Sequence, residues 1–152
     1  MNVTAQKSRS EAGLPTSLRI SVSRLARRLR VERTVPALGE PTLSDTQFAA
    51  LAALERHGAM TPGELAEHEK VQPPSMTRVI ATLAGLGLVS RTPHPTDRRQ
   101  VMLAASAEGR ELVHKARRRR DAWLAKRLAE LTPAQRATLR AAAPILEKLS
   151  QS

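Results

Sequence analysis

Leu88-Val89-Ser90-Arg91-Thr92-Pro93-His94-Pro95-Thr96-Asp97-Arg98-Arg99-Gln100-Val101-Met102-Leu103 is where the chain changes its period. Leu88 to Thr92 and Gln100 to Leu103 are short runs rich in Val and Leu, a pattern that suits extended strands. The residues between them, Pro93 to Arg99, combine turn formers with charge. The stretch is predicted to be a β-hairpin with Arg91, Arg98 and Arg99 at or near a projecting tip.

Everything around the hairpin reads as helix. Residues Met1 to Pro15 show no periodicity and are predicted to be a flexible tail. From Thr16, Leu18, Val22, Leu25 and Leu29 fall on one helical face. Pro36, Gly39 and Pro41 end that segment. Ser44-Asp45-Thr46-Gln47 is a capping box that opens a second helix with Phe48, Leu51 and Leu54 on its apolar face, stopped by Gly58. Thr61-Pro62-Gly63-Glu64 opens a short third helix to about Glu69. Pro73-Pro74 sets the first turn of a fourth, whose buried face is expected to hold Met76, Val79, Ile80, Leu83 and Leu86. Gly87 fits the left-handed residue that closes many helices. After the hairpin, a long helix is expected from near Ser106 to about Glu130, with Leu112, Ala116, Trp123, Leu124 and Leu128 on one broad face. Thr132-Pro133-Ala134-Gln135 then caps a last helix striped by Leu139, Ala142, Leu146 and Leu149, which Pro144 should kink. The fold class is mainly α with a small β-hairpin wing.

Residues 43 to 104 have the layout of a winged helix-turn-helix. Two helices joined by a short turn present the second one to solvent. Its outer face carries Gln72, Ser75, Thr77, Arg78 and Thr82, short or forked hydrogen-bonding side chains that can read base edges in a major groove. An ordinary amphipathic surface helix would look similar. The hairpin tips the balance, because arginine on a thin ribbon can reach into a narrow minor groove, where the negative potential is strongest.

Composition points the same way. Among 152 residues, 25 Lys+Arg against 14 Asp+Glu give a formal net charge of +11, and a pI near 11.5 favours an anionic polymer as partner. Phe48 and Trp123 are the only aromatic residues, too few for recognition by base stacking. With no cysteine, disulfides, thiolate catalysis and Cys-ligated metal are excluded. No run approaches the roughly 20 apolar residues that span a bilayer, so a cytoplasmic setting without membrane association is expected. The four histidines are scattered, and no nucleophile–base set is visible. The sequence therefore predicts no enzyme, no cofactor and no metal.

The run Asp97-Arg98-Arg99-Gln100-Val101-Met102-Leu103-Ala104-Ala105-Ser106-Ala107-Glu108-Gly109 resembles the wing signature of the MarR family of bacterial transcriptional regulators. Thr61 to Ala66 and Thr82 to Val89 are also similar to that family, and the resemblance spans roughly Ser17 to Leu149. Ala105 departs from the Leu or Pro usual there, and Pro73-Pro74 stiffens the start of the recognition helix. The resemblance implies a homodimer whose first and last helices interlock, with two winged units facing a pseudo-palindromic site. The chain then divides into a flexible tail (1–16), a dimerisation helix (17–38), a winged helix-turn-helix region (39–104) and dimerisation helices (105–152). The apolar stripes at both chain ends agree, since they have little single-domain core to bury into. The resemblance further implies that Asp97 organises the wing through a salt bridge and that Arg99 enters the minor groove, with Arg98 touching phosphate or sharing that role.

A sequence-specific double-stranded DNA binder, most often a repressor, is the reading these features favour. Non-specific architectural or RNA-associated basic proteins share the charge but would show no sequence preference. An enzyme or interaction module that kept the winged fold without reading DNA is a third class. Many members of the family release DNA when a small anion enters a cleft between dimer helices and winged unit. A small-molecule effector is therefore implied, and Arg24 or Arg28 could pair with it, although a solvated face explains them equally well. Consecutive Arg117 to Arg120 point in four directions and cannot form one face, so they are expected to be solvated or partner-facing.

Overall fold

Capping chemistry sets where the helices start. The computed structural model describes residues 3–34 and 36–151, with side chains for residues 13–33 and 36–151. Helix α1 spans Val3–Thr34 and α2 spans Asp45–His57. Ahead of α2, the Ser44 hydroxyl accepts the Gln47 N–H at 3.2 Å while the Gln47 side-chain oxygen accepts the Ser44 N–H at 2.9 Å. Thr61 and Glu64 make the same exchange at α3 (Pro62–Glu69), and Thr132 and Gln135 at α6 (Pro133–Ser150). Each box satisfies backbone donors that the first helical turn leaves unpaired. Lys70 then takes a left-handed turn (φ 53°) into α4, Pro73–Gly85. Strands β1 (Val89–Pro93) and β2 (Val101–Ala105) pair antiparallel, with Val89 opposite Ala105 and Pro93 opposite Val101. Helix α5 runs Ala107–Ala129.

Several expectations change. Residues 3–15, read as a tail, are the first turns of α1, and Met1 and Asn2 lie outside the described residues. Pro15 sits within that helix, where it withholds one backbone donor. Strand β2 continues two residues past Leu103, although Ala104 and Ala105 are weak strand formers. Tertiary pairing holds it there: Met60 and Leu103 exchange backbone hydrogen bonds of 3.0 and 2.8 Å. Leu86, expected in the core, follows the last turn of α4 and is exposed. Helix α6 is continuous through Pro144.

Leu51, Leu65, Met76, Leu83, Leu103 and Val113 are fully buried and draw α2, α3, α4, β2 and α5 into one core. Leu112 and Ala116 complete it, whereas Trp123, Leu124 and Leu128 are only half-buried. Past Ala116, α5 has left that core and lies along α1. The five expected α5 positions thus serve two different surfaces.

The hairpin is joined to α5 at its root. Ser106 donates its hydroxyl to the Gly87 carbonyl at 2.6 Å and its N–H to the Leu88 carbonyl at 2.9 Å, and accepts the Gly109 N–H at 3.0 Å. A Cβ at Gly109 would be driven into the Leu88 carbonyl oxygen. Gly109→Ala is therefore expected to cost about 1–3 kcal/mol in chemical denaturation. Gly85→Ala, which meets open space, should be close to neutral. Equal stability of the two variants would show that the root of the wing is not tightly packed.

Candidate nucleic-acid interface

Met76, Ile80 and Leu83 anchor α4 in the core, which turns Gln72, Ser75, Thr77, Arg78 and Thr82 outward, all exposed. Gln72, Ser75, Arg78 and Thr82 fall along one side of the helix, with Thr77 on its flank toward the hairpin. Their chemistry is not uniform. The Thr77 hydroxyl donates to the Pro73 carbonyl at 3.0 Å, and the Thr82 hydroxyl to the Arg78 carbonyl at 3.1 Å. These two residues therefore show acceptor lone pairs and a methyl group, while Ser75 and Arg78 keep their donors free among the described residues.

Arg91 sits elsewhere than the tip. It is in mid-strand, in register with Leu103, and with Thr77 and Ile80 it lines a cleft of about 140 Å³ between hairpin and α4. Strand alternation explains this, since directly paired residues share a face. Arg91 thus belongs with the recognition helix.

Arg98 and Arg99 do occupy the tip, exposed, with no side-chain partner among the described residues. Asp97 shapes the backbone that carries them. Its carboxylate accepts the Arg99 N–H at 3.0 Å and the Gln100 side-chain amide at 2.9 Å. Where the resemblance implied a salt bridge, the described residues show hydrogen bonds instead and no ion pair to Asp97. Those bonds hold its carboxyl below the ordinary carboxylate range, the Arg99 N–H contributing most. On α3, the Thr61 N–H and hydroxyl lower the Glu64 carboxyl in the same way.

The sequence reading missed what Arg117 to Arg120 do. Arg117 pairs with Glu55 at 2.7 Å, Arg118 with Glu111 at 2.9 Å and Arg119 with Glu40 at 2.9 Å. Pointing in different directions is what lets one run tie α5 to α2, to itself and to the α1–α2 loop. Only distant acidic partners could have revealed this. Arg120 lies over the Phe48 ring, 5.9 Å from its centre, and Arg33 lies over the same ring at 4.6 Å. Burial, then the neighbouring Arg33, pushes the Arg120 guanidinium below its usual value. Phe48, Ala52, Arg56, Glu69, Arg117 and Arg120 line an open, mainly cationic cleft of about 280 Å³. Of the two arginines named for an anion, Arg28 is engaged by Glu32 at 3.0 Å and lies over Trp123, whereas Arg24 is exposed. Among the described residues no three His, Asp or Glu side chains are grouped to hold a metal, and no helix is long and apolar enough to cross a membrane.

A polar helix face flanked by an arginine-tipped ribbon is suited to duplex DNA, and the comparisons with known proteins agree. A family model described as the MarR family matches residues 43–101. An uncharacterized HTH-type transcriptional regulator of Mycobacterium bovis is 49% identical over 137 residues, covering 90% of this chain and 92% of that protein. The HTH-type transcriptional repressor MdtR of Bacillus subtilis is 27% identical over 91% of this chain and 87% of its own. A transcriptional regulator from Pseudomonas aeruginosa superposes with a TM-score of 0.79 at 32% identity, over 94% of this chain and 97% of that one. BpsR of Bordetella bronchiseptica, whose DNA binding is regulated by 6-hydroxynicotinic acid, shares the fold at a TM-score of 0.59 and 24% identity, over 88% and 98% of the two chains.

The depressed Asp97 carboxyl has a pH consequence. Because its value in the fold lies below the 3.8 of the free group, the tip gains stability above that pH and loses it as pH falls through the lower, folded value. Hydrogen exchange at the Arg99 amide should therefore accelerate on acidification below about pH 3.8. Asp97→Ala should show fast exchange already at neutral pH. Protection unchanged by the substitution would mean that another group holds the tip.

Proposed function

The chain belongs to the MarR family of DNA-binding transcriptional regulators, which are not enzymes, and from that premise we propose that it acts as a homodimeric repressor on a pseudo-palindromic operator and is released by a small organic anion. The observation that carries the dimer is α6. This 18-residue helix has no buried side chain, yet Leu139, Ile145, Leu146 and Leu149 lie exposed along it. An amphipathic helix without a packed face is marginal in water. Helix α1 exposes Leu14, Val22, Leu25 and Val31 as well. Burying an apolar side chain of this size gives roughly 1.5–3 kcal/mol. Covering even half of these stripes offsets an association cost of about 4–15 kcal/mol.

A two-fold pair places two α4 helices on one side, suited to major grooves roughly 34–36 Å apart. It carries a formal charge of +22, twice the +11 of one chain. In this reading Gln72, Ser75, Thr77, Arg78 and Thr82 meet base edges and phosphates, with Arg91 beside them, while Arg98 and Arg99 enter or flank the minor groove. Asp97 keeps the wing in shape. Repression follows by occlusion of the promoter, and the name of the repressor MdtR supports that sign.

The cationic cleft supports the effector. Arg120 is partly desolvated and crowded by Arg33 and Arg117, so a carboxylate placed there would relieve like-charge repulsion, while Phe48 and Ala52 offer apolar contact. The regulation of BpsR by an aromatic acid supports the same chemistry. The cleft lies between α2, a helix of the winged unit, and α5, which runs on beside α1. An anion bound there touches both halves of the molecule, and it weakens DNA binding by however much it prefers the conformer with misplaced recognition helices.

Footprinting on the DNA upstream of the protein's own gene, with scrambled competitor at two salt concentrations, tests this reading. A short protected palindrome bound far more tightly than scrambled DNA is expected. Equal binding with a steep salt slope would leave a non-specific basic protein instead. On the protected site Arg78→Ala should lose about 1–3 kcal/mol, chiefly in discrimination against random DNA. Arg99→Ala should weaken binding about tenfold with the dimer intact. Hydroxylated aromatic carboxylates should lift the wild-type footprint and fail to lift that of Arg120→Ala. Sedimentation tests the assembly separately: Leu146→Glu is expected to shift a dimer toward monomer, and an unchanged dimer would place the interface off α6.

A further inference from the structure

We propose that His94 is a positioning residue for DNA binding, its neutral imidazole serving as the backbone acceptor that fixes the wing tip and aims Arg98 and Arg99. The proposal rests on the reading of the wing as a DNA contact. Its grounds are geometric. His94 Nδ1 lies 3.2 Å from the Asp97 nitrogen and 3.3 Å from the Thr96 nitrogen, both as backbone donors, with the Thr96 hydroxyl at 3.4 Å. Two N–H groups aimed at one ring nitrogen require a lone pair there, which assigns the neutral tautomer with hydrogen on Nε2. The His94 N–H donates to the Gln100 carbonyl at 3.2 Å, and the Gln100 N–H to the Asp97 carbonyl at 3.0 Å. Asp97 in turn caps Arg99. The bonds form a relay in which His94 holds 96 and 97, and Asp97 holds 99 and 100.

Nothing apolar could replace that relay. Residues 95–100 contain no aliphatic or aromatic side chain beyond Pro95, and the strands end at Pro93 and Val101. Pro95 confines His94 to extended backbone, which presents the ring to the turn that follows. The tip is thus held mainly by hydrogen bonds, and the side chains of Arg98 and Arg99 have no partner among the described residues.

Protonation would reverse this role. An imidazolium has hydrogen on Nδ1, so both backbone donors would face a third donor. The charged groups near the ring are the Asp97 carboxylate at the tip and the Glu64 carboxylate on the first turn of α3. An imidazolium would turn toward them, drawing Asp97 from the Arg99 N–H. Added positive charge near DNA acts in the opposite direction, by general attraction to phosphate. The two effects separate in a variant that keeps the acceptor and cannot titrate.

The test uses full-length protein and a duplex that wild-type protein selects from a randomised pool. His94→Ala is expected to weaken binding to this duplex about tenfold, the equivalent of two net hydrogen bonds, with thermal midpoint and dimerisation unchanged. His94→Asn, whose side-chain oxygen can accept the same two donors, is expected to restore affinity to within about threefold of wild type. His94→Ala binding like wild type while Arg99→Ala binds weakly would overturn the role of His94 and leave the wing contact standing. Equal losses in His94→Ala and His94→Asn would also overturn it. If neither His94→Ala nor Arg99→Ala weakens binding, the wing reading itself falls.

Discussion

The junction of Gly87, Leu88, Ser106 and Gly109 is the constraint on which the remaining architecture depends. A pair of five-residue strands is not stable alone, and here the hairpin is anchored at its root by one serine that makes three hydrogen bonds within a single turn. Gly87 takes a positive φ of 72° to bring Leu88 into line, and Gly109 leaves room for the Leu88 carbonyl to touch the helix. With the root fixed, the tip lies at the far end of a short lever. The helix that fixes it is also the one that runs on beside α1. A single rod therefore connects the surface suited to DNA with the surface suited to a second copy.

The arginines fall into two groups with different physical roles. Arg28, Arg33, Arg117, Arg118, Arg119 and Arg127 are matched to Glu32, Asp45, Glu55, Glu111, Glu40 and Glu130. Pairs of this kind give about 0–1 kcal/mol each where exposed; the value of Arg33–Asp45, Arg117–Glu55 and Arg119–Glu40 lies in tying α1 to α2 and α5 to α2 and the α1–α2 loop, while the other three brace single helices. Arg78, Arg91, Arg98 and Arg99 lack an acidic partner among the described residues and share the face of α4 and the hairpin. No existing ion pair need be broken for these four to engage phosphate or bases, which favours fast, electrostatically steered association.

Local chemistry was legible in the sequence and long-range chemistry was not. The capping boxes at Ser44, Thr61 and Thr132, the left-handed Gly87 and the charged hairpin all follow from residues within a few positions of each other. Arg119 and Glu40 are 79 positions apart, and no periodicity links them. The run of four arginines therefore looked solvated, although three of its members close contacts inside the chain. Arg91 was grouped with the tip because the hairpin was read as a unit, whereas strand register assigns it to the cleft beside Thr77. Residues 3–15 carry no hydrophobic periodicity, yet they are helical in α1, because periodicity reports a packed face and not helix as such. Asp97 was placed by resemblance, but its hydrogen-bond partners, and His94 beside it, emerge only once the turn is folded.

The clamps between α1, α2 and α5 also bear on how an anion in the cationic cleft would reach the DNA-facing surface. The winged unit and the first half of α5 share one closed core, so the softer coordinate is the orientation of α1 against that unit. Pro36, Gly39 and Pro41 make that connection, and Gly39 has a positive φ of 86°. Two ion pairs restrain it: Arg33 with Asp45, and Arg119 with Glu40. Arg33 also lies over Phe48, at the edge of the same arginine cluster. A carboxylate drawn to Arg120 would compete with Asp45 for Arg33, exchanging a restraint within the protein for a contact with the ligand. Such an exchange costs little in total energy, yet it would act at the joint between α1 and the winged unit. Each 1.4 kcal/mol of preference for a shifted orientation would lower DNA affinity about tenfold, so one displaced pair of about 0–1 kcal/mol would weaken binding and full release would take more than one such contact.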